Sequence, residues 1–422
     1  MIIHQPEIIR KDGYAILWSR IEMAKKRDNF PDFIWYRVPE RYAPFLSLQS
    51  DAFLVASLLA GMYYGEAIEV RGTVSPRLAY HLEEYQFVLN FRMPELVHPV
   101  AVQYECLAPM EGKPTGVGTT FSGGVDSLFT LWKHLPKNQS DPNYQVTHGL
   151  FIRGFNLIHT EEPYYRQLYN RYQEVAADIG LDLIELHTNM MGIIQRRMDS
   201  TFMNGPLILS AAIALQGLFC RFYMPSTWDY HNLKSAPHAS DPLVDGFLPT
   251  NTLDIIHHGS TFRRVEKVEE VADWELAQEI LHVCFDLKFE KTTWNCSRCE
   301  KCVRTMIPLY ALGKMEKFKT FEKPLITNRD GLWWARKFNL KQDFVSEMFP
   351  FVNKHKPDLL PWLYIAALLG FVRYKIIRNI PRFLMVWLRR HGHFVTRREA
   401  PHIFEIPEIT HLIQSMNDHP SA

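Results

Sequence analysis

The feature that most constrains this chain is the stretch TTFSGGVDSLF at residues 119–129. Residues 117–121 carry the β-branched and aromatic side chains of a strand. Residues 122–124 turn the chain, and beyond them Leu128, Phe129, Leu131, Trp132 and Leu135 recur at helical spacing. A glycine pair weakens either kind of element, so it belongs where the backbone turns sharply or another group comes close. At a strand-to-helix junction the first helical N–H groups have no internal partner and the positive end of the helix dipole lies beside them, which suits a phosphate. Ser122 and Ser127 add hydroxyl donors, and Gly123 and Gly124 leave an anion room to reach the amides. Neither the Gly-Lys-Ser/Thr ending of the kinase-type phosphate loop nor the Gly-x-Gly-x-x-Gly dinucleotide fingerprint is present here.

Downstream the pattern alternates. Residues 146–154 predict a strand, 161–180 a helix ending at Gly180, 181–190 a strand, 205–220 a buried helix and 221–228 another strand. Such alternation predicts right-handed crossovers, a parallel sheet and helices on both of its faces. Ligands bind outside the carboxyl ends of such strands, so the glycine loop and the neighbouring strand ends, near Arg153, Asn189 and residues 228–230, become candidate walls of a site. Residues 1–112 combine strand-like runs (YAILWSR, AIEVRG, FVLNF) with a helix-like DAFLVASLLAGMYYG, and predict a mixed α/β N-terminal domain with MEGKPTG as its linker. Residues 113–319 form the central domain, and 320–422 look helical and basic-aromatic. The tract WLYIAALLGFVRYKIIRNIPRFLMVWLRRHG is apolar around most of the helix, which favours a bundle packed on the central domain over a membrane-surface or partner-binding helix.

A chain of 422 residues exceeds what one core normally serves. Its 47% hydrophobic and 22% charged residues suit a soluble globular protein. A net charge of +1 argues against a generally basic nucleic-acid binder, though a local patch is compatible with it. The mixed start MIIHQPEIIRKDGY does not read as a signal peptide, so a cytoplasmic location is expected. The longest apolar stretch, residues 359–372, contains Pro361 and falls short of the roughly twenty residues of a spanning helix, so no membrane partner is expected.

The six cysteines are too few for a secreted disulfide scaffold, yet four of them lie between positions 284 and 302. Cys284 is followed at a distance by Cys296, Cys299 and Cys302 in Cys-x-x-Cys-x-x-Cys spacing. Two-residue gaps turn neighbouring thiolates toward one ion, and an upstream fourth ligand completes the closed tetrahedral set of structural zinc. The softness of sulfur also admits an iron–sulfur cluster. In HHGSTFRRVEKVEEV (257–271), His257, His258, Arg263, Arg264 and Lys267 stand at the mouth of a helix starting near Val265 and read either as a phosphate or carboxylate clamp or as a solvated charged face. Residues 226–242, small, polar and rich in histidine, are candidates for a base pocket.

The run Ser122-Gly123-Gly124-Val125-Asp126-Ser127 resembles the SGGxDS signature of PP-loop ATP pyrophosphatases. Members of that superfamily bind the ATP pyrophosphate in this loop and usually transfer AMP to a carboxylate or carbonyl oxygen. Followed about 160 residues later by the cysteine pattern, the loop is similar to that of the QueC family, the 7-cyano-7-deazaguanine synthases, over roughly residues 115–310. The resemblance implies the adenine nucleotide alpha hydrolase-like fold, with ATP bound at residues 122–127 and Mg²⁺ oriented by Asp126; Arg153, at a neighbouring strand end, is a further candidate for binding the nucleotide. Asp126 can equally satisfy the first turn of the helix. The resemblance also implies structural Zn²⁺ on the four cysteines and catalytic roles for Asp126, Arg263 and Lys267. The reaction it implies is AMP-forming activation of 7-carboxy-7-deazaguanine for attack by ammonia, giving the amide and then the nitrile. The flanking regions and the wide gap between Cys284 and Cys296 depart from the compact biosynthetic enzyme. The layout looks more like the QueC-like proteins of antiphage islands, of the QatC type or type IV CBASS, where the activated carboxylate is joined to a protein amine. That would imply a protein acceptor encoded nearby, and an oligomer is compatible with it. Two rival readings are a tRNA thiolation enzyme, with an iron–sulfur cluster or a reactive thiol pair, and a nucleotide-binding scaffold of a defence complex.

Overall fold

The structure of the protein is a computed structural model that describes residues 1–25, 30–154, 162–193, 200–233, 240–284, 294–325, 327–328, 346–378 and 407–418. Its strands are β1 (Ile2–Ile3), β2 (Glu7–Lys11), β3 (Tyr14–Glu22), β4 (Phe33–Pro39), β5 (Ile68–Val74), β6 (Val102–Leu107), β7 (Gly116–Thr120), β8 (His148–Arg153), β9 (Asp182–Thr188), β10 (Phe219–Pro225) and β11 (Asp254–His258). They form one mixed, mostly parallel sheet in the order β11-β10-β7-β8-β9-β4-β3-β1-β5-β6, with β2 paired to β3 off this path. Strands β7 to β11 run parallel to one another. After β7 the chain adds β8 and β9 on one side, then crosses back to add β10 and β11 on the other. The crevice between the carboxyl ends of β7 and β10 is therefore the topological switch point of the sheet, the place where open α/β sheets take ligands.

Helices cover both faces. Helices α1 (Asp51–Tyr64), α2 (Pro76–Arg92) and α5 (Ser200–Ala214) share a core with Leu150, Ile184, Leu186, Phe222 and Met224. On the opposite face α3 (Val125–Lys133), α4 (Glu162–Asp178), α6 (Arg264–Val271), α7 (Glu275–Ile280) and α8 (Glu300–Ala311) pack over Val117, Phe151, Leu183 and Tyr223. Phe222, Tyr223 and Met224 point alternately to the two cores, as the period of a strand requires. Strand β4 runs antiparallel to β9 in the register Tyr36↔Thr188 and Arg37↔His187, so the sheet continues into the N-terminal segment. Beyond α8 lie α9 (Met348–His355), α10 (Leu360–Arg378) and α11 (Pro407–Asp418). Ile409 and Ile413 of α11 cover Ile16, Trp18, Phe33 and Trp35 on β3 and β4.

The alternation expected from residue 146 onward is present, and α4 stops just before Gly180, whose φ of +70° suits glycine. Two local expectations are corrected. FVLNF is the end of α2: Leu78, Leu82, Tyr85 and Leu89 are buried at helical spacing, and Pro76 sits in the first turn, where its fixed φ favours a helix start. Strand β11 had no counterpart in the sequence reading because its five residues, DIIHH, are too short to show a period. The C-terminal tract is helical where described, but over residues 360–372 α10 buries only one face. Leu363 and Ala366 are inside, whereas Tyr364 and Leu368 are exposed. The rest of the tract, residues 379–392, lies outside the described residues. No described helix is long and apolar enough to cross a membrane.

Candidate functional site

The glycine loop leaves β7 at the switch point and is held from behind. Gly123 has a φ of +71°, and a Cβ there would overlap Tyr172 Oη and stand 3.0 Å from the carbonyl of Ile280. Tyr172 donates to the Ser122 carbonyl at 3.3 Å, and the His282 amide donates to the Gly123 carbonyl at 2.8 Å. In front, the loop is bonded more loosely. Ser127 Oγ lies 3.2 Å from both the amide and the Oγ of Ser122, and the Gly124 amide donates to Ser122 Oγ at 3.3 Å. Gly124 caps α3, so the unpaired amides at the start of that helix follow directly. The arrangement is a rigid backbone turn with exchangeable donors on its open side.

Asp126, in the first turn of α3, is ringed by cations. Arg264 Nη1 lies 2.8 Å from Oδ2 and Lys267 Nζ 3.4 Å from Oδ1. Burial alone would push this carboxyl up, but Arg264, Lys267 and Arg304 together hold it below the usual carboxylate range. Lys267 is fully buried and also donates to the carbonyl and hydroxyl of Ser226 at 2.6 and 2.7 Å, tying α6 to the residue just after β10. Burial lowers its pKa while Asp126 opposes that shift. The structure thus brings Lys267 to Asp126, but the second ion pair comes from Arg264. Arg263 caps α6, its amide donating to Glu266 at 2.7 Å.

The two histidines of the same stretch make other contacts. His258 lies 3.1 Å from Thr130 Oγ1 and stacks on Phe129, and burial, with repulsion from His134 and Lys267, pushes its pKa down to about 3. His257 Nδ1 is 2.6 Å from Asp245 Oδ2. Arg153 is buried, stacked 4.1 Å over the Tyr165 ring and paired with Glu162; its neighbour Ile152 is the residue that lines the cavity described next. Asn189 joins β9 to β4, donating to the Phe33 carbonyl and accepting from the Trp35 amide. Trp228 faces the cavity, Asp229 accepts from the amides of His231 and Asn232, and Tyr230 is exposed. Of the expected base-pocket stretch, residues 234–239 lie outside the described residues.

A cavity of about 420 Å³ opens in front of the loop, at the carboxyl ends of β7, β8 and β10. Its lining joins Ser122, Gly124 and Ser127 and the cations Arg264 and Lys301 with apolar side chains such as Ile208 and Met224. Burial, then repulsion from Arg304 and Arg264, lowers the Lys301 pKa to about 8. Sequence reading missed Lys301, although it stands between two of the metal-binding candidates in CEKC.

The four cysteines converge. One sulfur from each of Cys284, Cys296, Cys299 and Cys302 lies within 4.8 Å of the others, with separations of 3.9 Å for 296–302, 4.0 Å for 284–299 and 3.3 Å for 299–302. Four thiolates bound tetrahedrally at the Zn–S length would stand about 3.8 Å apart, so the donor set fits a metal such as zinc. The Cys299 and Cys302 amides point at the sulfurs of Cys296 and Cys299, at 3.3 and 3.5 Å. Buried Asn295, which the sequence reading passed over, ties the two arms together. Its Oδ1 accepts from the amides of Val283 and Cys284, and its Nδ2 donates to Leu281 and Thr320. Cys284 also lines the cavity, and Cys299 caps α8, the helix that carries Lys301 and Arg304. The four-thiol cluster and the cavity share a wall.

No family model, curated protein or solved structure matches this chain significantly.

Proposed function

We propose that this protein is a PP-loop, QueC-like ligase or synthase that uses ATP to activate a 7-deazaguanine carboxylate, 7-carboxy-7-deazaguanine, for attack by an amine. One observation supports this above the rest: the glycine loop opens at the switch point into a cavity that also meets Arg264, Lys301 and the four-thiol centre. In the proposed reaction a carboxylate oxygen of the substrate bonds to the α-phosphorus of ATP and pyrophosphate leaves with its electron pair. The amine nitrogen then bonds to the acyl carbon, AMP leaves, and the amine's proton passes to solvent. The acyl carbon needs this because a bare carboxylate has no adequate leaving group.

The loop amides and the hydroxyls of Ser122 and Ser127 would hold the phosphates, and Arg264 and Lys301 would offset the charge that develops on them. Both oxygens of Asp126 already face cations, so Mg²⁺ would be held through their remaining lone pairs and mostly by water. Lys267 and Arg263 would act at one remove, by fixing Asp126 and α6. Zinc on the cysteines would supply folding energy rather than chemistry, being a closed set of four protein ligands. The acceptor is ammonia or a protein amine, and a role in antiphage defence in the cytoplasm rests on the sequence resemblance alone.

The test is to incubate the protein with ATP, Mg²⁺, 7-carboxy-7-deazaguanine and either ammonia or candidate acceptor proteins. AMP and pyrophosphate are expected, with the product mass naming the acceptor; ADP and orthophosphate would overturn the reading.

A further inference from the structure

We propose that Ser240 is a specificity-determining hydrogen-bond acceptor in the cavity wall, one that receives an N–H of the substrate's base. This rests on the reading above that the cavity takes a 7-deazaguanine carboxylate.

Ser240 lines the cavity, and its Oγ donates to Asp245 Oδ2 at 2.9 Å. The same oxygen lies 2.6 Å from His257 Nδ1. The side chains of Asp245 and His257 are 0% and 4% exposed, so the pair is sealed behind the serine. Strand pairing fixes its place: His257 on β11 is in register with Met224 on β10, and Met224 is itself a cavity residue.

The chemistry follows from counting hydrogens. A serine hydroxyl has one hydrogen and two lone pairs. In the tautomer that carries the His257 proton on Nδ1, two donors are directed at Oδ2; burial raises the Asp245 pKa, the His257 and Ser240 contacts oppose that shift, and with both donors in place Oδ2 accepts and the Ser240 hydrogen is committed to it. What Ser240 then offers the cavity is lone pairs alone. A phosphate or carboxylate would meet those lone pairs with the buried acid behind them, and would be repelled. Anions have their own place at the glycine loop with Arg264 and Lys301. The group that fits Ser240 is an N–H donor, which the ring and exocyclic nitrogens of a guanine-type base supply. Asp245 and His257 act through Ser240 and are positioning residues. Oδ1 of Asp245 is buried without a hydrogen-bond partner among the described residues, so the carboxyl's polar contacts there run through Oδ2, to Ser240 and His257.

Calorimetric titration of the full chain with 7-carboxy-7-deazaguanine, and separately with ATP, tests this. The proteins to compare are the wild type, Ser240→Ala, Ser240→Thr, Asp245→Asn and the Ser240→Ala/Asp245→Asn double variant. Loss of one such hydrogen bond predicts about tenfold weaker binding of the base to Ser240→Ala, with ATP affinity unchanged within about twofold. Ser240→Thr should restore binding. The double variant should bind no more weakly than Ser240→Ala, because Asp245 acts through the hydroxyl; damage to the fold would instead add up. Should Asp245→Asn fail to fold, the alanine and threonine variants decide alone. A Ser240→Ala protein that binds the base like wild type, or a wild type that does not bind it, overturns the proposal. A wild type that binds the base but forms no AMP would sink the proposed reaction and leave Ser240 as assigned.

Discussion

Adjacent glycines in the loop have different reasons to be glycine. Gly123 combines a φ of +71° with no room for a Cβ, since Tyr172, the side chain in the way, is fully buried. Gly123→Ala should therefore destabilise the protein by at least about 2 kcal/mol, from the left-handed backbone and the overlap together. Gly124 has an ordinary φ of −75°, and the nearest atom to its Cβ would be Ser122 Oγ at 3.4 Å. Gly124→Ala should melt within about 0.5 kcal/mol of wild type and weaken ATP binding by crowding the loop amides. Thermal melts and ATP titrations of both variants check this, and equal melting of the two would contradict it. A second residue-scale prediction concerns Glu347, whose carboxyl burial pushes up to about 7 although Arg264 opposes the shift. The folded pKa lies above the unfolded value of about 4.3, so the native state keeps a proton that the unfolded chain releases. Stability from this group is fully present below about pH 4.3 and is lost as pH rises through about 7, a change of about 4 kcal/mol. Glu347→Gln should match wild type in denaturant melts at pH 4 and exceed it at pH 8; a variant that is weaker at pH 8 would reverse the sign.

Helix α8 is where the four-thiol cluster meets the cavity. Cys299 caps it and Cys302 lies in its first turn, so a metal bound to these thiolates would fix the helix start and, with it, Lys301 on the cavity side. The other arm leads back to the loop: His282, two residues before Cys284, bonds the Gly123 carbonyl. Both connections predict that metal loss is felt at the proposed phosphate site. Cys299→Ser, or chelation, should lower the melting temperature and weaken ATP binding by about tenfold or more, because closed metal sites contribute folding energy directly. Lys301→Ala should weaken ATP binding while keeping metal content and melting temperature. Metal analysis, thermal melts and ATP titrations on the two variants separate the effects, and a chelated protein that binds ATP at full strength would break the link.

At the scale of the whole molecule, what the sequence disclosed is what neighbouring residues encode. The glycine turn, the alternation through β8, α4 and β9 and the cysteine ligands are all short-range patterns. Features set by distant packing were hidden. Arg264 rather than Arg263 reaches Asp126, because Arg263 is the extended cap of α6 and Arg264 the first residue of the helix, a boundary the sequence does not mark to one residue. Asn295 matters only because Thr320 and Cys284 come to it. The same is true of the joint between β4 and β9, which makes the N-terminal segment part of the central sheet. Polar ties reinforce it: Tyr36 donates to Ser210, Gln216 donates to Asp51, and Arg37 meets His187, all between residues far apart in sequence. Phe53, Leu54 and Leu58 of α1 lie in one core with Leu207 and Ile213 of α5. Removing residues 1–112 would expose these α5 side chains and the edge of β9. Each large apolar side chain brought into water costs about 1.5–3 kcal/mol, and a whole domain is usually stable by only about 5–15 kcal/mol. Several such losses, with the Gln216 amide stripped of Ser47, Gln49 and Asp51 and Ser210 of Tyr36, exceed that margin. Residues 113–422 expressed alone should therefore lack a cooperative thermal transition and be cut rapidly by protease, even though they carry the loop, the cations and all four cysteines of the site. A monomeric fragment that melts cooperatively and binds ATP would show that the core on this face of the sheet holds without its N-terminal half.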